Sequence, residues 1–314
     1  MSNIRPKNFK PFAEIAIIVK PMNRQPGKPE GAMLSEALDV LHATLRARGL
    51  KTRMDSCTAQ FASIAPDVVL PLEEVLRGAD LAIAVGGDGT LLGIARQVAD
   101  LHVPLIGINL GRLGFLTDIP ADNIAQMISD VLDGNFSVED RLLLDAEIHR
   151  PESTTSGSVL EVIFKTVALN DVVVSRGEMG SMIEFAVEVD GEFVYSLRAD
   201  GLIIATPTGS TAYALSSGGP ILHPGLPAIS LVPISPHTLS NRPIAISSTS
   251  EVKITMLRGH NSRVNFDVQS FIDPQTDDIV LVRAHEARLT LLHPHGYSYF
   301  SMLRNKLHWN ERTS

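Results

Sequence analysis

Residues 86–90 read Gly-Gly-Asp-Gly-Thr and follow directly on the apolar run 81–85. Three glycines, Gly86, Gly87 and Gly89, let the backbone approach a ligand closely and reach positive φ. Their N–H groups can line a phosphate-sized concavity. The spacing predicts a helix from Thr90 to Ala99, whose N-terminus would point the same way and favour an anion. Asp88 is then the one negative side chain in a loop built for negative charge, which suits a base or a ligand for a phosphate-bound metal. The plain alternative is a tight turn capped by Asp88. Gly87-x-Gly89-x-x-x-Gly93 is one residue too long for the dinucleotide fingerprint, and no G-x-x-x-x-G-K-[ST] occurs in the chain.

A second constellation runs from Asp200 to Tyr213. An acid and a glycine precede an apolar strand, and Thr206, Thr208, Ser210, Thr211 and Tyr213 follow it. Small hydroxyls beside Gly209 can bond phosphates and sugar hydroxyls, and a phenol can stack on a ring. The alternative is a polar loop whose hydroxyls cap their own backbone. A third element, Asn170-Asp171, opens another strand. Its amide can pair with an adenine edge and its carboxylate can accept from ribose hydroxyls; an Asx turn is the plain alternative.

The elements needed to position these residues divide the chain. Up to about residue 140 strands alternate with helices. Strands are expected at 13–20, 81–85 and 103–108. Leu34, Leu38, Leu41 and Leu45 repeat at helical spacing before Gly49, a short helix fits 72–77, and an amphipathic one fits 123–132 before Gly134. That rhythm predicts an α/β domain at 1–140, a parallel sheet with flanking helices, whose ligands bind beyond the carboxyl ends of the strands. After 141 alternation takes over, with Asp190-Gly191 as a two-residue hairpin turn. Strands are expected at 142–148, 161–167, 171–175, 183–189, 192–196, 202–205, 251–257, 263–268, 279–283 and 288–292, and a loop at 153–158. These predict an all-β sandwich over 141–294. The aromatic tail, 295–314, is expected to pack back onto the body.

The 314 residues suffice for two domains, and 20% charged against 44% hydrophobic residues marks a globular chain. A formal charge of −8 without a basic block argues against nucleic acid and anionic membranes as partners. One cysteine, Cys57, and an N-terminus without an apolar signal segment fit a cytoplasmic protein. His223 and His237 lie in proline-rich loops and read as structural, and no His, Cys and Asp cluster has metal-site spacing.

In this order, the three elements resemble the NAD kinase family. Residues 86–90 are similar to its signature turn, 109–116 to the loop after the next strand, and 200–214 to its second signature; 236–243 and 267–269 also fit. Asn170-Asp171 stands where the family usually shows Asn-Glu, so this chain's carboxylate is one methylene shorter. The resemblance spans about 13 to 309. It implies ATP-dependent phosphorylation of the adenosine-ribose 2′-hydroxyl of NAD, giving NADP, on an α/β domain plus a β-sandwich, with the tail returning to the first domain. It further implies a homo-oligomer, a dimer or tetramer, whose neighbouring subunits help complete the site.

Carried over by residue, Asp88 would be the general base, with Gly86, Gly87, Gly89 and Thr90 around it and Phe115 against adenine. Asn170 and Asp171 would hold adenine and ribose. Ser181, Asp200 and Thr211, Ala212, Tyr213, Ala214, Leu215 and Ser216 would bind the dinucleotide, and Gln269 would reach it from a late strand. Arg198 resembles members that prefer NAD over NADH and ATP over polyphosphate; an arginine on a surface strand is its plain alternative. A divalent cation, Mg²⁺, is expected to arrive with ATP rather than on a dedicated protein site.

Three other functions compete. An NADP-linked oxidoreductase needs an intact fingerprint in the first βα turn, and residues 15–31 have none. A non-catalytic dinucleotide sensor would gain nothing from a carboxylate beside phosphates. A lipid or sugar kinase could share the glycine turn, but no membrane-binding amphipathic stretch accompanies it.

Overall fold

The computed structural model describes residues 11–20, 29–111, 114–154, 157–177, 182–238, 240–258 and 261–309. The chain divides into two compact units, 1–140 with 289–314, and 141–288.

The first unit runs β1 (Glu14–Val19), α1 (Pro29–Ala47), β2 (Lys51–Met54), α2 (Ser56–Ala59), β3 (Val68–Val69), α3 (Leu72–Arg77), β4 (Leu81–Gly86), α4 (Asp88–Asp100), β5 (Leu105–Asn109), β6 (Ile119–Pro120), α5 (Ile124–Leu132) and β7 (Phe136–Arg141). Leu34, Leu38, Leu41 and Leu45 are fully buried, so α1 lays the stripe read from its spacing onto the sheet. Strand β4 is buried at every residue, as expected of a parallel strand covered on both faces. Sheet order is β3-β2-β1-β4-β5-β20-β7, with β6 paired to β5 and β20 contributed by Leu289–Pro294.

That last strand corrects the sequence reading, which placed residues 288–292 at the end of the sandwich. Leu289, Leu291 and Leu292 are buried, and β20 runs parallel to β5 in the first sheet. Periodicity identifies a strand but does not say which sheet will take it. Beyond β20, α7 (Tyr299–Lys306) buries Tyr299, Met302 and Leu303 in the first unit.

The second unit holds β8 (Leu144–Thr154), β9 (Gly157–Ala168), β10 (Asp171–Arg176), β11 (Ile183–Val189), β12 (Glu192–Ala199), β13 (Gly201–Ala205), α6 (Tyr213–Ser216), β14 (Ala228–Ile234), β15 (Ile244–Ser247), β16 (Val252–Arg258), β17 (Ser262–Phe266), β18 (Ser270–Ile272) and β19 (Ile279–Ala284). Two six-stranded sheets, β15-β14-β13-β10-β17-β18 and β12-β11-β16-β19-β8-β9, face each other across one core that includes Val172, Leu202 and Phe266 from the first and Ile148, Phe185 and Ile254 from the second. The expected loop at 153–158 is largely strand, because the β8–β9 hairpin extends to Thr154 and resumes at Gly157. Strand β14 escaped the sequence reading. Its Pro233 breaks the pattern, yet it pairs with Leu202 inside the sheet.

Among the described residues, both hairpin turns with consecutive left-handed residues carry aspartate. Asp190 and Gly191 have φ of 53° and 79°, the turn anticipated from the sequence. Asp267 and Val268 have φ of 53° and 55°, and Val268 is 91% exposed. A β-branched residue is strained there, and its side chain gains little packing in return. Val268→Asn should stabilise the second unit by about 1 kcal/mol. A denaturant midpoint for that unit at or below the parent's would contradict the strain.

Candidate active site

The glycine turn sits where β4 passes into α4. Gly86 closes the strand, Gly87 is the helix N-cap with extended backbone, and Asp88 is the first helical residue, two positions earlier than the sequence suggested. Asp88 therefore does not cap the helix. Its carboxylate reaches across to the loop that follows the adjacent strand β5. Oδ2 accepts from Phe115 N at 2.8 Å; Oδ1 accepts from Leu116 N at 3.0 Å and Thr117 Oγ1 at 3.2 Å. Thr117 is fixed in turn by Asn109 Nδ2 at 3.0 Å, and Asn109 Oδ1 accepts from Gly111 N at 2.8 Å. A Cβ on Gly114 would run into Asp88 Oδ1, so the loop closes on the carboxylate only with glycine there. Phe115 is half-buried, and Lys306 of α7 places its ammonium 5.6 Å from the ring centroid. Residues 86–90 and 115 thus come together as one cluster in the first unit.

In the second unit, Asn170 and Asp171 stand at the start of β10. Asp267 organises them: its carboxylate accepts from Leu169 N at 2.7 Å, Asn170 N at 2.7 Å and Asp171 N at 3.1 Å. The carbonyl of Asn170 accepts from Thr206 N at 2.9 Å and lies so close to Gly209 that a side chain there would collide with it. Burial, and then the Asp267 charge, push the Asp171 carboxyl up to about 7. Asp267 carries this arrangement. The only local signal for it is an acid at the end of an apolar strand.

The hydroxyl-rich loop divides between the two readings weighed for it. Thr206 Oγ1 donates to Leu169 O at 2.6 Å, Ser210 Oγ to Pro207 O at 2.6 Å and Thr211 Oγ1 to Thr208 O at 3.2 Å, while Arg141 Nη1 donates to Thr208 Oγ1 at 3.3 Å. These hydroxyls shape the loop itself. Ala214 is fully buried against Val173, Ile203, Ala205 and Val232, which is why β13 reads as an unbroken apolar run: α6 covers its outer face. Tyr213 is 47% exposed, and Thr211, Ala212, Leu215 and Ser216 are accessible around it. Gln269 lies in the β17–β18 turn rather than in a strand.

Asp200 and Arg198 are not with this cluster. Asp171 pairs with Ala205, whereas Gly201 pairs with Ser175 at the far end of the same strands. At ~3.3 Å per residue, about 20 Å separate Asp200 from Thr206. Asp200 instead pairs with Arg176, Nε to Oδ1 at 2.7 Å, a partner the sequence did not disclose. Arg198 is exposed on the edge strand β12. Ser181 lies outside the described residues.

In a dehydrogenase fingerprint the helix N-terminus meets pyrophosphate with glycine alone. Here α4 begins on a carboxylate, which suits a group that takes a proton from an attacking hydroxyl. The class is that of a small-molecule kinase. Comparison with known proteins agrees. The ATP-NAD kinase N-terminal domain matches residues 37–136 and the ATP-NAD kinase C-terminal domain matches 169–293. An NAD kinase of Laribacter hongkongensis is 50% identical over 285 residues, 91% of this chain and 94% of its own length. One from Azoarcus sp. is 47% identical over 285 residues, 90% and 94% of the two chains. The crystal structure of yeast NADH kinase with NADH shares the fold, with a TM-score of 0.82 at 24% identity over 97% of this chain and 90% of that one. The chain belongs to the ATP-NAD kinase family and is an enzyme that phosphorylates NAD.

The Asp171 shift has a pH signature. Folding holds this proton more tightly, so the stability it contributes is present at low pH and is lost as pH rises from 3.8 through about 7. Asp171→Asn cannot ionise. Its stability relative to the parent should rise across that window and level off above it, by up to roughly 4 kcal/mol. Parallel pH–stability curves for the two proteins would show that Asp171 ionises normally.

Proposed function

We propose that the chain transfers the γ-phosphoryl group of ATP to the 2′-hydroxyl of the adenosine ribose of NAD, with Asp88 as general base. The observation that carries this reading is the bonding of Asp88. Oδ1 accepts two hydrogen bonds and Oδ2 one, so Oδ2 keeps a lone-pair direction for a substrate hydroxyl. As O2′ bonds to phosphorus, the bond from phosphorus to the leaving ADP oxygen breaks and the hydroxyl proton passes to Oδ2. The three donors hold the carboxylate still, which is what a positioned base requires.

The remaining roles follow the resemblance. Asn170, with its amide, and Asp171, fixed by Asp267, are suited to adenine and ribose, and the accessible face of Tyr213 to stacking. Among the described residues no group of three His, Cys, Asp or Glu side chains could hold a metal. Mg²⁺ carried on ATP phosphates needs few protein ligands and would neutralise charge on the transferring group. The exposed Arg198 fits a preference for NAD over NADH. Among the described residues no helix is long and apolar enough to cross a membrane, and the single cysteine supports a cytoplasmic setting.

The separation within the second unit supports a homo-oligomer. Asp200 stands at the opposite end of β13 from the residues around Asn170, Asp171 and Tyr213, and Arg198 lies on β12 of the other sheet, which supports their serving a neighbouring subunit's site. Edge strand β9 also exposes Val159, Leu160 and Val162, at 56%, 52% and 49%.

Asp88→Asn should fold and bind NAD, yet lose turnover by at least ~100-fold in an assay of NADP formed from Mg²⁺-ATP and NAD. Turnover close to the parent's would remove Asp88 from its role. Asp200→Asn and Asp88→Asn, each inactive alone, should restore activity when co-expressed as mixed oligomers. No recovery in isolated hybrids would place Asp200 within its own subunit's work.

A further inference from the structure

The segment that returns to the first unit meets the loop of residues 115–118 at both of its ends. Lys306 of α7 lies over Phe115. His293 of β20 is bonded through Nδ1 to Asp118, and its Nε2 lies 3.1 Å from Glu139 Oε2 on β7. The imidazole is 1% exposed and stacks on Tyr297 with ring centroids 3.9 Å apart. Between these two anchors lie Phe115 N, Leu116 N and Thr117 Oγ1, the three donors to Asp88. A buried histidine facing two carboxylates is more than packing requires of a strand that is otherwise leucine, threonine and proline.

We propose that His293 is a positioning residue for the kinase reaction: as an imidazolium joining Asp118 to Glu139, it holds the 115–118 loop in the register that orients the Asp88 carboxylate. This rests on the reading of Asp88 as the base.

The electrostatics agree with the geometry. Burial works against the charged imidazolium, but the carboxylates of Asp118 and Glu139 outweigh it and raise the His293 pKa above its ordinary value. Among the described residues those two charges are the ones acting on His293. No charged group of α4 or α5, which also pack on β20, adds to them. The clamp therefore keeps its central charge below the raised value and loses it as pH rises through that value.

The test compares the parent with His293→Gln, Glu139→Gln and Asp88→Asn as full chains, measuring kcat, KM for NAD and the pH profile of kcat. His293→Gln should lower kcat roughly 10- to 100-fold, the scale of a misplaced reacting group, with KM for NAD within about twofold of the parent. It should also erase the alkaline fall of kcat. Glu139→Gln keeps the Asp118 bond and alters a side chain that is 20% exposed, so it serves if His293→Gln does not fold. Removing one carboxylate should move the alkaline fall to lower pH. Parent-like kcat and superimposable pH profiles in the folded variants, with Asp88→Asn inactive, would overturn the role of His293. An active Asp88→Asn would instead overturn the base assignment beneath it.

Discussion

The first unit depends on one carboxylate that belongs to two loops. Asp88 starts α4 after β4, and its oxygens take their hydrogen bonds from the loop after β5. Parallel pairing makes this possible. Gly86 and Asn109 are register partners at the carboxyl ends of adjacent strands, and Leu110 N donates to Gly86 O at 3.2 Å. Two loops leaving the sheet side by side must either diverge or share a bond, and Asp88 is that shared bond. Partly buried charge is tolerated because three donors meet it and because it stands at a helix N-terminus. The requirement reaches back into the sequence as Gly114, where any side chain would occupy the carboxylate's place.

The second unit uses the same device for a different end. Asp267 gathers the N–H groups of three consecutive residues, 169–171, and so fixes the Asn170-Asp171 pair from behind. Its own backbone is left-handed, as is that of Val268 after it. The strain at that turn and the raised pKa of Asp171 have one origin: a carboxylate is brought into a buried corner to satisfy backbone donors, and its neighbours bear the consequences. Asp88 and Asp171 illustrate how environment separates two acids of the same type. One is ringed by donors and is suited to accept a proton in reaction; the other is desolvated beside a like charge.

Much of this was legible in the sequence. The leucine stripe of α1, the buried run of β4, the glycine turn and the Asp190-Gly191 hairpin each follow from a period or a turn chemistry contained in a few neighbouring residues. The division into an α/β unit and a β-sandwich follows from the same patterns, because helical and strand periods expose different faces to a core. The motifs at 86–90, 109–116, 170–171 and 200–214 were also visible, since residue types in order are what a sequence records.

Only the tertiary structure decided what those residues do to one another. Residues 289–294 could have closed either sheet, and β20 joined the first because its face completes that core. The loop hydroxyls after β13 were free to meet a ligand or their own backbone, and packing under Arg141 and around Asn170 turned most of them inward. Asp200 sits close in sequence to Tyr213 yet at the other end of a strand, because extended backbone carries the chain away as fast as it can. Three of the bonds that fix these residues span 27 positions at Asp88 and Phe115, 97 at Asp267 and Asn170, and 175 at His293 and Asp118. Local pattern is determined by neighbours along the chain, whereas hydrogen bonds and shifted proton affinities depend on distances of a few ångströms that exist only once the sheets have assembled.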